Sequence, residues 1–442
     1  MDPRNRLKLS PIFQNGGRRS FFVCSLSLVK RLLIVLFVVH APGLDMSAAD
    51  EVPVRVQVIE GGESEVLAVD CRRMLVGPDV NQPDPYPGYG GFVGWESPLR
   101  LRDGTLLVAF SAGYWHASPP TPLQMPADKL ARWKEIGMPT DIDAPTGGRA
   151  MIIRSEDEGR SWSQPATMID TPWDDRHPNF VELPDGTILA TFFTTPGQGD
   201  VFSQPELARH VGLIRSTDGG RTWEQQPRRL PSPFASTATD GPPIVLDDRS
   251  VLLAVYGYVD EGEPKRLGVF RSTDNGNSWK LLSILKTEHH LQEPSVAQLP
   301  DGRLVMMARP EGSIMWSDDR GETWTDPVNF GMRMYEPGLV VLQDGTLLCL
   351  HGSYGGSGFR AIFSTDGGQT WIAPSDKHGF AVDARTYGYG KGILLPDGSV
   401  YAVYIHTGGH RTKDAQRNAI WDIRLRVRPD HDGIDLLPPP GS

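Results

Sequence analysis

The sequence predicts an all-β fold, a six-bladed β-propeller of four-stranded antiparallel blades whose ring is closed by N- and C-terminal strands. Three observations carry that prediction. An eight-residue pattern returns five times, apolar hairpins with an Asp-Gly type of turn return six times, and the two patterns alternate along nearly the whole chain.

The octets are SEDEGRSW (Ser155 to Trp162), STDGGRTW (Ser216 to Trp223), STDNGNSW (Ser272 to Trp279), SDDRGETW (Ser317 to Trp324) and STDGGQTW (Ser364 to Trp371). Ser and Asp side chains accept hydrogen bonds from N–H groups inside a turn, Gly supplies a positive φ, and Trp buries a large apolar face. A short apolar run leads into each copy, beginning at Ala150, Val211, Leu267, Ser313 and Arg360. Each octet is therefore a turn between two strands.

The hairpins span 98–110, 179–193, 243–256, 295–309, 338–352 and 392–405. Asp-Gly between apolar runs is the strongest short-range hairpin signal. A hairpin followed by a strand, an octet and a further strand is one blade, and six such units set the period of a propeller. Residues Val52 to Ile59 alternate apolar and polar, which marks a strand. The last unit offers only Ala419 to Val427 after its hairpin, so the N-terminal strand is expected to complete the sixth blade.

A chain of 442 residues would ordinarily suggest two or three domains, but repeats this regular argue for one propeller over 50–430. Before it, residues 1–49 read as a signal peptide and leader: Arg18, Arg19, Lys30 and Arg31 precede the apolar run Leu32 to Val39, and Ser47-Ala48-Ala49 offers a cleavage site. The expected location is secreted or periplasmic, with an uncleaved anchor as the alternative. After it, residues 431–442 read as a Pro-rich tail. A formal charge of −10 speaks against nucleic acid, and no stable membrane insertion is expected once the signal is removed. Cys24 would leave with the signal, so a disulfide scaffold is excluded and Cys71 and Cys349 read as buried small hydrophobes. The chain is expected to be a monomer without cofactor or metal, since no histidine pair has metal-ligand spacing.

One insertion interrupts the first blade, from Ala112 to Gly148. It carries Tyr114, Trp115, His116 and Trp133, with a short helix expected over Asp128 to Ile136. A connection of that length with no strand pattern suits a lid.

The repeated octets resemble the Asp boxes of the sialidase superfamily, six-bladed glycoside hydrolases also described by their BNR repeats. In that family the boxes lie on the blade periphery, so Asp157, Asp218, Asp274, Asp319 and Asp366 are structural. Chemistry belongs at the mouth of the ring, where the innermost strand of each blade begins. That position reads Glu96, Arg176 with His177, Asp240, Glu293, Glu336, and Tyr387 with Tyr389. Ionisable residues converging on one axis are costly as filling, which marks the mouth as a site.

The segment from Gln292 to Pro310 resembles the family stretch in which a Glu assists the nucleophile and an Arg binds carboxylate, which implies those roles for Glu293 and Arg309. Arg360 stands where another arginine of the family's triad precedes an Asp box. The segment TYGYGKGILLPDG resembles the nucleophile strand and offers Tyr387 or Tyr389, with Tyr387 preferred. The leaving-group acid would come from TDIDAPTGGR, as Asp141 or Asp143, with Asp143 preferred. Guanidinium groups hold the carboxylate of a sialic acid in bidentate fashion, and a neutral Tyr attacks where an anionic carboxylate would be repelled. The sequence departs from the family at GWESP, where Glu96 stands in the place of the first triad arginine and Arg176 or Arg149 would have to replace it. With Asp240 and Glu336 added, the mouth is acidic for a carboxylate pocket.

The resemblance implies an exo-acting glycoside hydrolase on glycans or oligosaccharides, with exo-α-sialidase as its specific form. The alternatives are a non-catalytic glycan- or protein-binding propeller and a propeller polysaccharide lyase.

Overall fold

In all six hairpins the turn aspartate accepts the N–H two residues on: Thr105 to Asp103 (2.9 Å), Thr187 to Asp185 (3.0 Å), Ser250 to Asp248 (2.9 Å), Arg303 to Asp301 (3.0 Å), Thr346 to Asp344 (2.9 Å) and Ser399 to Asp397 (3.0 Å). Five of these turns place Gly in the left-handed region, whereas the third places Arg249 there with φ 68°. The computed structural model describes residues 54–77, 80, 92–113, 131, 134–135, 148–196, 201–354, 358–386, 388–406 and 419–441. The expected leader, most of the Ala112 to Gly148 insertion, Asp141, Asp143 and Tyr387 lie outside them.

The hairpins seed six blades around a ring. Blade one is Phe92–Arg100, Leu106–Gly113, Arg149–Ser155 and Ala166–Ile169; blade two is Asp174–Glu182, Ile188–Thr195, His210–Ser216 and Arg228–Arg229. Blade three begins with two short pieces, Ser236–Ala238 and Ile244–Val245, on Val251–Tyr258, followed by Arg266–Ser272 and Lys280–Leu285. Blade four is Gln292–Gln298, Leu304–Arg309, Ser313–Ser317 and Val328–Asn329; blade five is Met334–Val341, Leu347–Ser353, Phe359–Ser364 and Thr370–Ala373, with Phe380–Asp383 also on the third strand. Blade six runs Gly390–Leu394, Val400–His406 and Ala419–Val427.

Ring closure corrects one expectation. Within the stretch expected to complete blade six, Arg55–Val58 instead pairs in parallel with Thr370–Ala373 and extends blade five. Val54 and Val56 cover the apolar seam beside Trp371, which explains the choice of edge. Blade six is completed by Arg73–Val76, antiparallel on Ala419–Val427, and by Ile434–Leu437 from the segment expected to be a tail. Arg73 anchors that closure on the buried Asp422, which also accepts the hydroxyl of Tyr401 (2.9 Å).

The period-two alternation of the strands divides their side chains between two seams. In blade one, Leu107 and Ala109 pack with Phe180, Ile188 and Phe192 of blade two, while Val108 and Phe110 pack with Tyr401, Val403 and Ile405 of blade six. Second strands such as Leu106–Gly113 are buried throughout, which accounts for their unbroken apolar sequence.

The octets join third to fourth strands. In the second copy Ser216 Oγ donates to Asp218 Oδ1 (2.8 Å), and Asp218 accepts Thr222 N (2.9 Å) and Thr222 Oγ1 (2.6 Å). The last glycine of the second to fifth octets faces the preceding blade: a Cβ on Gly220 would stand 3.0 Å from Leu107, and one on Gly276 3.0 Å from Leu189. The residue before each octet serine crosses the other way. Arg154 donates to Gly219 O, Arg215 to Asn275 O (2.8 Å), and Trp316 Nε1 to Gly367 O (2.8 Å). The octets are thus couplings between adjacent blades, away from the axis.

Candidate active site at the ring axis

Four inner strands break register at the same place, between Gly94 and Ser97, Arg176 and Asn179, Gln292 and Ser295, and Tyr335 and Gly338. Two residues there oppose one on the neighbouring strand, a β-bulge that re-aims side chains. The first bulged residue has a positive φ in every case: Trp95 (55°), His177 (50°), Glu293 (51°) and Glu336 (47°). Left-handed backbone at non-glycine residues is strained, and its recurrence marks a functional ring. This register corrects the expected equivalence by one residue. Trp95 is the counterpart of Glu293 and Glu336, while Glu96 takes the place held by Pro178, Pro294 and Pro337.

The bulges gather a buried polar cluster. Lys391 donates to a carboxylate oxygen of Glu336 and stands 3.5 Å from the carbonyl of Glu96. Arg309 pairs with Glu293 (2.9 Å), whose other oxygen accepts the backbone N–H of Glu336 (3.0 Å). The ring N–H of His177 Nδ1 donates to Asp240 Oδ1 at 2.5 Å, and the imidazole stacks on Trp95 with centroids 4.7 Å apart. Arg176 also lies over that indole, 5.2 Å from its ring centroid, and pairs with Asp174, which accepts the N–H of Gly148 (2.7 Å). Asp240 is followed by Gly241, where a Cβ would fall 2.3 Å from the carbonyl of Pro294, so only glycine lets blades three and four close here.

Burial dominates the electrostatics. Glu96, Asp240 and Glu336 are 0 % exposed. Desolvation pushes Glu96 up to about 8 against the pull of Lys391, and raises Glu336 well above the usual carboxylate range. Glu293 rises to about 7 for the same reason, with Arg309 opposing. Asp240 is also desolvated, but Lys391 and His177 together hold it below its usual value. Burial lowers His177 to about 4 despite Asp240, so the imidazole is neutral and its Nδ1 carries the proton. Four carboxyl groups thus face two cations, Lys391 and Arg309, and protonation of Glu96 and Glu336 balances the charge. Four carboxyl oxygens, both of Glu96 with Asp240 Oδ2 and Glu336 Oε2, accept no hydrogen bond from a side chain or backbone group among the described residues. His177, Asp240 and Glu336 offer donor atoms within 4.8 Å of one another, and the Lys391 ammonium supplies positive charge to that seat.

Of the residues expected at the mouth, Glu96, Arg176, His177, Asp240, Glu293, Arg309, Glu336 and Tyr389 come together. Tyr389 is buried, and desolvation followed by the charge of Glu293 raises its hydroxyl. Its ring lies 5.1 Å from that of Tyr335. Arg360 is placed elsewhere, on the third strand of blade five. There it donates to Gly379 O (3.2 Å) in the field of Glu63. Arg149 is buried at the start of the third strand of blade one, 3.4 Å from Asp170. Three further members carry little signal in the sequence. Lys391 is overshadowed by the tyrosines of its Tyr-Gly segment; Tyr256 lies within the apolar strand Val251–Tyr258; and Asp174 stands two residues before the Arg176 that it pairs.

Residues 151–354 match a family described as a BNR repeat-like domain. A sialidase of Bacteroides fragilis is 27% identical over 248 residues, covering 44% of this chain and 42% of the sialidase. A xyloglucanase of Acetivibrio thermocellus is 26% identical over 235 residues, covering 47% of this chain and 26% of the xyloglucanase. The match therefore spans less than half the length of either relative. Among solved structures, the Hadza microbial sialidase Hz136 superposes with a TM-score of 0.57 at 17% identity, over 74% of this chain and 65% of the sialidase. Such similarity establishes the propeller architecture.

Proposed function

This chain belongs to the sialidase-like β-propellers built of BNR repeats, and we propose that it is an exo-acting glycoside hydrolase releasing terminal sugars from glycans, with α-sialosides as its specific candidate substrates. The observation that carries the reading is Glu293, held by Arg309 and the Glu336 amide, with Tyr389 buried in the field of its charge.

Glu293 takes the phenolic proton as the tyrosine oxygen attacks the anomeric carbon, the bond to the leaving oxygen breaks, and a separate acid protonates that oxygen. Water then attacks the tyrosyl-linked sugar and the proton returns. Two groups suit the acid: Asp143 from the blade-one insertion, and Glu96, which burial keeps protonated at neutral pH. Tyr387 lies two residues from Tyr389 in the same segment and stands as the alternative nucleophile. Arg309 neutralises Glu293 and orients it. The leader-like residues 1–49 support export, which N-terminal sequencing of the mature chain would check.

A second reading is favoured by the split between Asp240, held ionised, and Glu336, held protonated, because carboxyls pushed apart in this way define an acid and a base. In that case a neutral sugar would be cleaved without a tyrosine. A panel of aryl glycosides that includes an α-sialoside separates the two. The first reading expects Tyr389→Phe or Tyr387→Phe to abolish release, and a fluorinated sialoside to label a tyrosine in mass spectra. Label on a carboxylate, with loss in Asp240→Asn, would support the second. Turnover of nothing between acid and neutral pH would overturn both in favour of a glycan-binding propeller.

A further inference from the structure

His177 is fixed by its neighbours everywhere except at one atom. Its imidazole stacks on Trp95, with centroids 4.7 Å apart and planes 22° from parallel, and packs against Phe193 with centroids 5.2 Å apart. Its backbone N–H donates to Ser111 Oγ (3.1 Å), its carbonyl accepts Asn179 Nδ2 (2.9 Å), and its φ is 50°. Nδ1 donates to Asp240 Oδ1, while no group among the described residues is hydrogen-bonded to Nε2. Packing alone does not call for this arrangement: a phenyl ring would stack on Trp95 without a buried carboxylate to satisfy or a left-handed backbone to sustain.

The pair has an outer and an inner member. Asp240 is 0 % exposed and His177 5 %, so the imidazole is the one that keeps some surface. It also borders the rest of the cluster. Donor atoms of His177, Asp240 and Glu336 lie within 4.8 Å of one another, and the Glu336 amide is bonded to Glu293. The other groups there are committed. Glu293 holds Arg309 and the Glu336 amide and receives the phenolic proton, while Glu96 and Glu336 are kept protonated by burial and are therefore donors. A neutral imidazole with its proton on Nδ1 leaves the lone pair of Nε2 as the acceptor.

We propose that His177 is the general base of the site, its Nε2 taking a proton from the water that enters the sugar while Asp240 holds the imidazole in the accepting tautomer. This role rests on the glycoside-hydrolase reading of the axis and deepens it. In the breakdown of a tyrosyl-linked sugar, the water oxygen bonds to the anomeric carbon, the bond from that carbon to the phenolic oxygen breaks, and Glu293 returns its proton to the phenolate. The water gives one proton to Nε2, and the imidazolium so formed is paired with the Asp240 carboxylate. That proton then passes to the acid spent on the leaving oxygen, which restores both groups. Direct attack of water on a neutral sugar requires the same transfer to Nε2.

The test uses the full chain. Glycine suits the left-handed backbone at 177 and leaves room for a small molecule, so His177→Gly is the first variant; asparagine also tolerates that φ, and His177→Asn serves if the first fails to fold in a thermal melt. With an aryl glycoside that the parent cleaves, either folded variant should lose about a hundredfold to ten-thousandfold in kcat, the usual contribution of a general base, with KM little changed. Added imidazole should restore hydrolysis in His177→Gly. Azide, a nucleophile with no proton to lose, should restore release of the phenol and give the glycosyl azide. In nitrogen-15 NMR of the histidine-labelled parent at pH 7, the resonances that vanish in the variant should show Nδ1 protonated and Nε2 bare. Parent-like kcat in a folded variant, a loss that neither imidazole nor azide repairs, or a proton on Nε2 would overturn the role of His177 and leave the hydrolase reading standing. A parent chain that turns over no glycoside overturns that reading and the base with it.

Discussion

The backbone N–H of Glu336 donates to Glu293 Oε2 at 3.0 Å, so the left-handed bulges of blades four and five are tied to each other across the seam. The strain that turns Glu336 toward the axis also presents its amide to the neighbouring carboxylate. Backbone and side chains of the cluster are therefore set by one another, and altering either blade's bulge should disturb both acids.

The acid limb of activity should follow Glu293. Burial places that group at about 7 while Arg309 pulls it down. Removing the guanidinium in Arg309→Met takes away the stabilisation of the carboxylate, so the pKa must rise and the limb of kcat/KM move to higher pH. Arg309→Lys should move it less. The profile of an aryl glycoside across pH 5 to 9, or a titration of carbon-13-labelled Glu in the absence of substrate, checks this. A limb that stays in place would remove Glu293 from the role of base.

Glu96 should make the fold lose stability as pH rises. Its carboxyl titrates at about 8 in the folded chain against an ordinary 4.5. Between those values the unfolded chain binds fewer protons than the native one, so unfolding stability falls with pH across that window and is level below it. Glu96→Gln removes this contribution and should flatten the slope of the urea midpoint between pH 5 and 8. Glu336 and Glu293 are shifted the same way, so part of the slope remains. A Glu96→Gln slope equal to that of the parent would contradict the assignment.

The fold was legible because its signals are local. An Asp-Gly turn and an octet each specify their own backbone, and hydrophobic alternation specifies the seams. Edge pairing is less local: Arg55–Val58 and Arg73–Val76 are both short strands, and only the packing of Val54 and Val56 beside Trp371 decides which blade each joins. At the site, carboxylates before Pro or at strand starts stood out as costly core residues. Their register did not, since a bulge shifts Glu96 by one residue without any change in sequence pattern. Lys391 and Tyr256 resemble ordinary strand residues, and their roles depend on which side chains the ring brings opposite them.

The second and third hairpin turns offer a test of backbone strain free of packing. Gly186 has φ 88°, and a Cβ added there would meet no atom within 4 Å, so Gly186→Ala should cost about 1 kcal/mol through conformation alone. Arg249 already bears that strain at the equivalent turn, with φ 68°. Arg249→Gly should therefore raise the urea midpoint, by less than Gly186→Ala lowers it, because glycine also gains freedom in the unfolded chain. Opposite signs for the two substitutions are the expected result, and equal signs would show that the turns differ in geometry.

Lys391 should be the most costly single loss at the axis, and its cost should be reversible. Its ammonium bonds Glu336 and acts on Asp240 and Glu96, all three buried, while the charge of Asp240 and the hydrogen bond to Glu336 raise its own pKa against desolvation. Lys391→Met would leave those acids without their cation. Breaking a buried pair in this way costs about 3–5 kcal/mol, because a charge is left uncompensated in low dielectric. Asp240→Asn in the same chain removes the stranded anion, so the double variant should recover a large part of that loss. Lowering the pH from 8 to 5 should also recover stability in Lys391→Met more than in the parent, since Asp240 can then take up a proton. Urea unfolding of the parent, both single variants and the double variant at the two pH values completes the cycle. Additive losses, with no recovery in the double variant or at pH 5, would show that Lys391 acts through packing rather than as the counter-charge of the cluster.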